Sequence, residues 1–362
     1  MRRLGFFVLL TLLTACGHNY PVVDLPNSIS RAPSARVYVD INGTLYPRHW
    51  RSSEIVGETS FLRSHSLYAA VAGDPSRRAR IDREEDAYLA EIRTLAADAE
   101  RAFVFLVGFN TDQQSTAVQL RAMQDVIGLT SRDIAVDFYW DGYSAAFGVD
   151  AARIWFWGSG SSQVAGQRGL RRVLNALGDR EIYIVSYSRG ASVVLSALSD
   201  PSYSPRFKTN TERLDYLGPG FLSAPPLADG KAIRVVMMAP AIGEPDFWAD
   251  RTGEEPHAFR AFPDRVRSIR YSINPNDYVL TKLGSGLAGH FNATDLGATA
   301  PAGRDLDCHY RILQGYPVAN RFGHDIRSYI GDLSFATMLR DSGLGLDGEP
   351  ARAPSPISRR DC

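Results

Sequence analysis

The sequence has few lysines, few cysteines and no apolar run long enough to cross a bilayer. Only three of its 40 basic residues are lysines, and 40 acidic residues bring the formal net charge to +0. No basic stripe interrupts this balance, which argues against a nucleic-acid partner. A hydrophobic content of 44% over 362 residues is ample for the buried core of one large domain, or at most two.

The first residues have the pattern of a targeting segment. Two arginines precede a short apolar run at 4–13, and small residues then lead to Cys16. The run is too short for a transmembrane helix. Residues 1–15 resemble a bacterial lipoprotein signal peptide, which implies cleavage before Cys16 and attachment of lipid to its thiol. A plain secretory signal is the alternative. The resemblance implies a lipid-anchored protein of the bacterial cell envelope, and in a Gram-negative bacterium Gly17 favours the outer membrane, facing the periplasm.

Cleavage there leaves two further cysteines, Cys308 and Cys362. Outside the cytoplasm such a pair either forms a disulfide or stays as two thiols, and the sequence leaves both open. Residues 16–34 are polar and contain proline and serine, which predicts a tether. Residues 346–362 are rich in proline and arginine and are predicted to be loose. The folded domain is therefore placed at 35–345.

Apolar runs and amphipathic segments alternate along this domain. Continuous apolar runs are typical of central parallel strands, and apolar residues at helical spacing predict helices. The alternation predicts an α/β fold with a mostly parallel sheet and helices on both faces. Functional residues in such sheets lie at the carboxyl ends of strands. The predicted strands are 35–41, 102–107, 134–140, 182–185, 233–239 and 266–273, and the predicted helices are 84–101, 113–128, 163–177, 191–198 and 324–340.

Residues 199–230 break the alternation with five prolines. The segment is interpreted as an insertion over the strand ends, either a cap that shields an apolar pocket or an ordinary surface loop. Several of its apolar side chains are expected to be exposed, namely Tyr203, Phe207, Tyr216, Leu217, Phe221 and Leu222.

The most informative stretch is Ser-Tyr-Ser-Arg-Gly at 186–190, between a predicted strand and a predicted helix. This context is typical of a nucleophile elbow, in which a tight turn holds a serine clear of the backbone. The turn needs small residues two before and two after the nucleophile, and Ser186 and Gly190 are small. The start of the following helix favours developing negative charge. Ser188 is therefore the candidate nucleophile.

A serine nucleophile needs a base, and the base needs an orienting acid. Asp277 is the candidate acid because it ends the Asn-Pro-Asn-Asp turn just after a predicted strand, although aspartate in such a turn also occurs without a catalytic role. Glu244 and Asp246 follow the previous strand and compete with it.

His324 is the candidate base because it lies after Asp277 and beside a glycine, at the start of the last predicted helix. His290 and His309 also follow the acid, and any one histidine can instead be a surface or core residue. The negative oxygen of the reaction intermediate needs backbone N–H donors. The predicted donors are Arg189, just after the nucleophile, and the loop Gly108-Phe109-Asn110 just after a strand, in particular Phe109 and Asn110.

Together these segments resemble the α/β-hydrolase superfamily, in particular its bacterial esterase- and lipase-like members, over residues 85–340. The resemblance implies hydrolysis of an acyl ester or lipid substrate through an acyl-enzyme, with no metal and no organic cofactor. Amide cleavage and acyl transfer use the same residues, and a non-catalytic lipoprotein on this scaffold is a further alternative. Ser186 and Val107 depart from the commonest residues of the family, which are glycine and histidine. The segments are Gly-Phe-Asn at 108–110, the elbow, Met-Ala-Pro at 238–240, the turn at 274–277 and Gly-His at 323–324.

One segment suggests a different enzyme class. Residues 39–45 resemble the first motif of haloacid-dehalogenase-type phosphatases, with Asp40 as nucleophile. The position of the second, acid/base aspartate holds Asn42, whose amide cannot shuttle a proton. No Asp-Asp pair follows to bind Mg²⁺. A turn or hairpin at Asn42-Gly43 explains the segment without chemistry.

Overall fold

One sheet of seven strands organises the protein, seen here in a computed structural model. The structure describes residues 18, 20–21, 32–143, 159–251, 257–282, 293–319, 322–344 and 355–356. All strand pairs are parallel, and the strand order is β1-β3-β2-β4-β5-β6-β7. The strands are β1 (Ser34–Val39), β2 (Arg101–Leu106), β3 (Asp133–Trp140), β4 (Glu181–Tyr187), β5 (Ile233–Met238), β6 (Val266–Ile273) and β7 (Leu313–Pro317).

Helices cover both faces of the sheet, which confirms the predicted α/β fold. Apolar side chains of α3, α5 and α6 pack on one face, and those of α4 and α10 pack on the other. A π-helical segment at Ala165–Leu170 leads directly into α5. The helices are α1 (Glu58–Ser64), α2 (Leu67–Ala70), α3 (Pro75–Leu95), α4 (Gln113–Ile127), α5 (Arg171–Leu177), α6 (Gly190–Leu198), α7 (Pro205–Glu212), α8 (Ala300–His309), α9 (Ile326–Ile330) and α10 (Leu333–Asp341).

The direction of strand order reverses between β2 and β4. From β2 the chain continues outward to β3, whereas β4 is followed in space and sequence by β5, β6 and β7. In open parallel sheets ligands bind outside the carboxyl ends of the strands at such a switch point. The loop after β2 and the elbow after β4 both lie there.

Two predicted helices have different bounds. The helix predicted at 84–101 is α3, which begins at Pro75 because the Asp74 carboxylate accepts hydrogen bonds from the N–H groups of Ser76 and Arg77. The closing helix predicted at 324–340 is divided into α9 and α10. Gly331 ends α9, and the side chain of Asp332 caps α10 by accepting from the Ser334 N–H. Strand β7 and helices α1, α2, α7 and α8 were not predicted.

Segment 199–230 is more buried than its composition suggested. Tyr203, Leu217 and Phe221 are 3%, 4% and 7% exposed, so the expectation that they face solvent was wrong. They belong to a third apolar cluster beside the sheet. Their partners come from a region between β1 and α3, and include Tyr46, Trp50, Phe61, Leu67 and Tyr68.

The described residues of the predicted tether contact the domain. His18 hydrogen-bonds Asp141, the ring of Tyr20 packs on Phe61, and the carbonyl of Pro21 accepts from Arg51. Cys308 in α8 is disulfide-bonded, and Cys16 and Cys362 lie outside the described residues. No helix in the described ranges is both long and apolar enough to cross a membrane.

Candidate active site

Ser188 sits in a strained turn between β4 and α6. Its φ of 54° lies in the left-handed region, which costs a residue other than glycine about 1 kcal/mol or more. The strain arises because only two residues separate the end of β4 from the start of α6. A Cβ at Gly190 would lie 3.1 Å from the Val107 carbonyl oxygen, so the helix starts close against the end of β2.

Ser186, which replaces the commoner glycine, is accommodated inside the sheet. It is fully buried and pairs with Leu106 on one side and Met237 on the other. Its hydroxyl has no hydrogen-bond partner in the described part of the chain. A side chain of this size therefore fits the elbow, at the cost of a buried polar group without a partner.

Ser188, His324 and Asp277 form a continuous chain of hydrogen bonds. The Oγ atom of Ser188 lies 2.9 Å from Nε2 of His324, and Nδ1 of His324 lies 2.6 Å from Oδ2 of Asp277. Ser188 is 8% exposed and Asp277 is fully buried. The order of these residues along the chain is the one that the sequence predicted.

The geometry assigns the tautomer of His324. An ionised carboxylate only accepts hydrogen bonds, so Nδ1 carries the hydrogen that faces Asp277. Nε2 then presents its lone pair to the hydroxyl of Ser188, as a general base must. Gly323, with a φ of 127°, gives the chain the turn that brings the ring to this position.

Asp277 is held by more donors than the sequence indicated. Its Oδ1 accepts from the N–H groups of Val279 and Leu280 at 3.0 and 3.1 Å. The hydroxyl of Tyr329 in α9 donates to Oδ2 at 2.6 Å. Burial and the carboxylate raise the pKa of Tyr329, so this phenol keeps its proton and remains a donor. These three hydrogen bonds compensate the buried charge.

The competing acids Glu244 and Asp246 and the competing base His309 make other contacts. Glu244 accepts from the indole of Trp248 at 3.2 Å. Asp246 accepts from the Gly243 N–H and from the guanidinium of Arg189. The ring of His309 packs against Phe259 in a different part of the fold. His290 lies outside the described residues.

The predicted oxyanion donors have different environments. The N–H of Arg189 forms no hydrogen bond with any described residue. The N–H of Asn110 donates to the Tyr143 carbonyl at 2.8 Å. Its φ of 60° turns the loop after β2 towards β3. The role of Phe109 stays a prediction.

The side chain of Arg189 is buried beneath the elbow. Its guanidinium donates to the Ala241 carbonyl at 2.8 Å and to the Ser159 hydroxyl at 2.9 Å, and it lies 3.4 Å from Asp246. These contacts fix the residue whose backbone N–H is the candidate oxyanion donor. Sequence reasoning missed this function of the side chain, because its partners lie more than 25 residues away on both sides.

Gly108 begins the segment that the sequence predicted to supply an oxyanion donor, but the need for glycine at this position was not predicted. A Cβ built on it would lie 2.8 Å from the Arg189 nitrogen and 3.0 Å from Oγ of Ser188. Only glycine leaves this space open. The space adjoins both the nucleophile and a candidate oxyanion donor, which is where the carbonyl oxygen of a substrate must sit.

We therefore expect Gly108→Ala to lower kcat for an ester substrate by at least about 10²-fold, the usual effect of losing one oxyanion donor. The added methyl group would occupy the oxyanion space or displace the N–H of Arg189. Gly57→Ala is the matched control, since the nearest atom to its Cβ would be 3.9 Å away. Steady-state kinetics of the two variants, with thermal unfolding as a check on folding, would measure this. Equal kcat values would contradict the assignment.

Segment 199–230 contributes to a cleft at the end of the sheet where the strands have their carboxyl ends. The cleft has a volume of about 710 Å³ and includes Asn42 and Tyr143, which follow β1 and β3. Arg206 and Phe207 come from the segment itself. The lining combines charged, amide and hydroxyl groups with apolar side chains.

In the described ranges, no group of three or more histidine, cysteine, aspartate or glutamate side chains is arranged to hold a metal ion. The sequence matches no protein-family model and no curated protein.

Proposed function

We propose that this protein is a serine hydrolase of the α/β-hydrolase superfamily that cleaves carboxylic ester or lipid substrates through an acyl-enzyme. The observation that carries the proposal is the hydrogen-bonded chain of Ser188, His324 and Asp277. Its support is threefold: the nucleophile is on a strained strand-to-helix turn, the acid follows β6, and the histidine comes last in the chain.

The proposed reaction begins with attack of Ser188 Oγ on the substrate carbonyl carbon. Nε2 of His324 takes the hydroxyl proton, and Asp277 stabilises the resulting imidazolium. The negative oxygen of the tetrahedral intermediate accepts from the Arg189 N–H, with Phe109 as the predicted second donor. Collapse breaks the ester bond, and His324 returns the proton to the leaving alcohol. Water, activated by the same histidine, then releases the acid.

Substrate class and location are part of the proposal. A lipid on Cys16 would hold the enzyme at a bacterial envelope membrane, most simply the outer membrane facing the periplasm, and so beside acyl chains. This favours esters and lipids over soluble amides. Amide cleavage and acyl transfer remain alternatives, because both use the same nucleophile, base and oxyanion donors.

A fluorophosphonate probe tests the proposed nucleophile. The wild-type protein should be labelled, because the probe reacts with activated serines, and Ser188→Ala should not be labelled. Ser186→Ala is the matched control from the same turn, since its hydroxyl makes no hydrogen bond within the described residues. A folded wild-type protein that does not react would favour the non-catalytic alternative. Undiminished labelling of Ser188→Ala would place the nucleophile elsewhere.

The phosphatase alternative receives no support from the contacts of Asp40. Its Oδ1 accepts from the N–H groups of Asn42 and Thr44, and its Oδ2 accepts from Leu67 at 2.8 Å. The side chain is 1% exposed. The carboxylate closes the turn after β1, where a single antiparallel bridge joins Val39 to Leu45.

A further inference from the structure

His18, which lies next to the proposed lipid attachment point in the sequence, packs against the folded domain. Nδ1 of His18 lies 2.6 Å from Oδ2 of Asp141, the first residue after β3, and its ring stacks on His65 with centroids 3.5 Å apart. In the sequence, His18 is two residues from Cys16. Two residues of chain span at most about 7 Å. A lipid on that thiol would therefore leave the protein close to the carboxyl end of β3.

An exposed aromatic pair also lies at the carboxyl ends of the strands. Phe322 is 85% exposed and Tyr278 is 40% exposed, and no other phenylalanine, tyrosine or tryptophan in the described part of the chain is exposed to this degree. Their ring centroids are 5.5 Å apart. Tyr278 follows the acid Asp277, and Phe322 precedes the base His324 by two residues, so the pair adjoins the triad.

The contact site of His18 and the aromatic pair lie on opposite sides of Ser188 along the row of strand ends. In the sheet order, β3 is two strands from β4 in one direction and β6 is two strands from it in the other. Neighbouring strands are about 4.8 Å apart, so each feature is displaced about 10 Å from the nucleophile along the edge. A third exposed apolar side chain, Leu214 (38%), lines the same cleft as Tyr143, which follows β3.

We propose that the surface at the carboxyl ends of the strands docks on a lipid bilayer, with Tyr278 and Phe322 in the interface and Ser188 facing the membrane. Aromatic side chains are favoured at the membrane–water interface. A short lipid anchor would hold this surface of the protein against the bilayer. The proposal rests on the lipidation of Cys16 but not on catalysis. It implies that substrate reaches Ser188 from the membrane.

Fluorescence quenching tests the orientation in the full-length lipoprotein. Phe322→Cys, and separately Ser131→Cys, would be labelled with bimane and reconstituted in phosphatidylethanolamine–phosphatidylglycerol vesicles that contain spin-labelled phosphatidylcholine. Ser131 is exposed and precedes β3, at the opposite edge of the sheet. We expect quenching at position 322 to be at least twice that at position 131. Both proteins would carry Ser188→Ala, so that the result does not depend on turnover.

Mass spectrometry of the N-terminus separates the two proposals. A chain without lipid on Cys16 would overturn both lipidation and this orientation, and would leave the catalytic proposal intact. A lipidated protein that is quenched equally at the two positions would overturn the orientation alone.

A longer anchor gives a second test. A 24-residue glycine–serine linker inserted after Gly17 has an r.m.s. span of about 27 Å, enough to let the domain turn away. The difference in quenching between positions 322 and 131 should then fall by at least half. An unchanged difference would show that the short anchor does not orient the domain.

Discussion

Ser188→Ala is expected to lower kcat for an aryl ester by at least about 10⁴-fold, as the loss of a serine nucleophile does in triad enzymes. The change removes only the Oγ atom, which lies 2.9 Å from the histidine, and it leaves the backbone of the elbow in place. KM and the thermal unfolding midpoint should change little. Steady-state kinetics with a chain-length series of aryl esters would measure the loss and also define the preferred acyl length.

The double variant Ser188→Ala/His324→Ala provides the internal control. Residues of a triad act as a unit, so removing the second one should cost little further activity. Multiplicative losses would show that the two side chains act independently and would contradict the mechanism. Full activity in His324→Ala alone would transfer the role of base to His290 or His309.

Asp277→Asn is expected to lower kcat by about 10⁴-fold, because the amide no longer specifies the tautomer of the histidine. Its NH₂ group would face Nδ1 and favour the tautomer with hydrogen on Nε2, which cannot accept the proton of Ser188. Glu244→Gln is the matched control for a neighbouring strand end, and its kcat should stay close to that of the wild type. The pH dependence of kcat, measured in parallel, would report the altered histidine.

Tyr329→Phe separates orientation of the acid from its charge. The variant keeps the carboxylate and removes one hydrogen bond to it, which is worth about 1.5–3 kcal/mol of stability. We expect a lower thermal unfolding midpoint and a loss of kcat much smaller than that of Asp277→Asn. Near wild-type activity in Asp277→Asn would show that another carboxylate orients the base.

The elements of the sheet could be read from local patterns. The run Ala-Phe-Val-Phe-Leu at 102–106 predicted β2 because both faces of a central parallel strand are buried, and the structure places its side chains in two clusters on opposite faces. The elbow was predictable for a similar reason: strand, small residues, serine and helix are consecutive in the sequence. Helix ends were less predictable, since the capping contacts of Asp74 and Asp332 compete with the apolar spacing.

Burial outside the sheet was not predictable from composition. The apolar residues of 199–230 have no regular spacing, and most of their partners in the cluster lie more than 130 residues earlier, between β1 and α3. The contacts of His18 and Tyr20 with the domain are of the same kind. Such contacts depend on which loops the strand order brings together, and a single sequence carries no local signal of that order.

The sequence by itself therefore predicted the fold class, which the structure confirms, together with a candidate nucleophile and the order of its candidate acid and base. Each of these depends on neighbours in the chain or on the direction of parallel strands. Only the tertiary structure shows that Asp277 and His324 form hydrogen bonds with each other and with Ser188. It also shows that the N–H of Asn110 donates to Tyr143, that Tyr329 donates to Asp277, and that the guanidinium of Arg189 is buried among distant partners. The physical reason is that hydrogen bonds of 2.6–2.9 Å and a space that admits only glycine depend on distances between strand ends. Those distances arise when the sheet assembles.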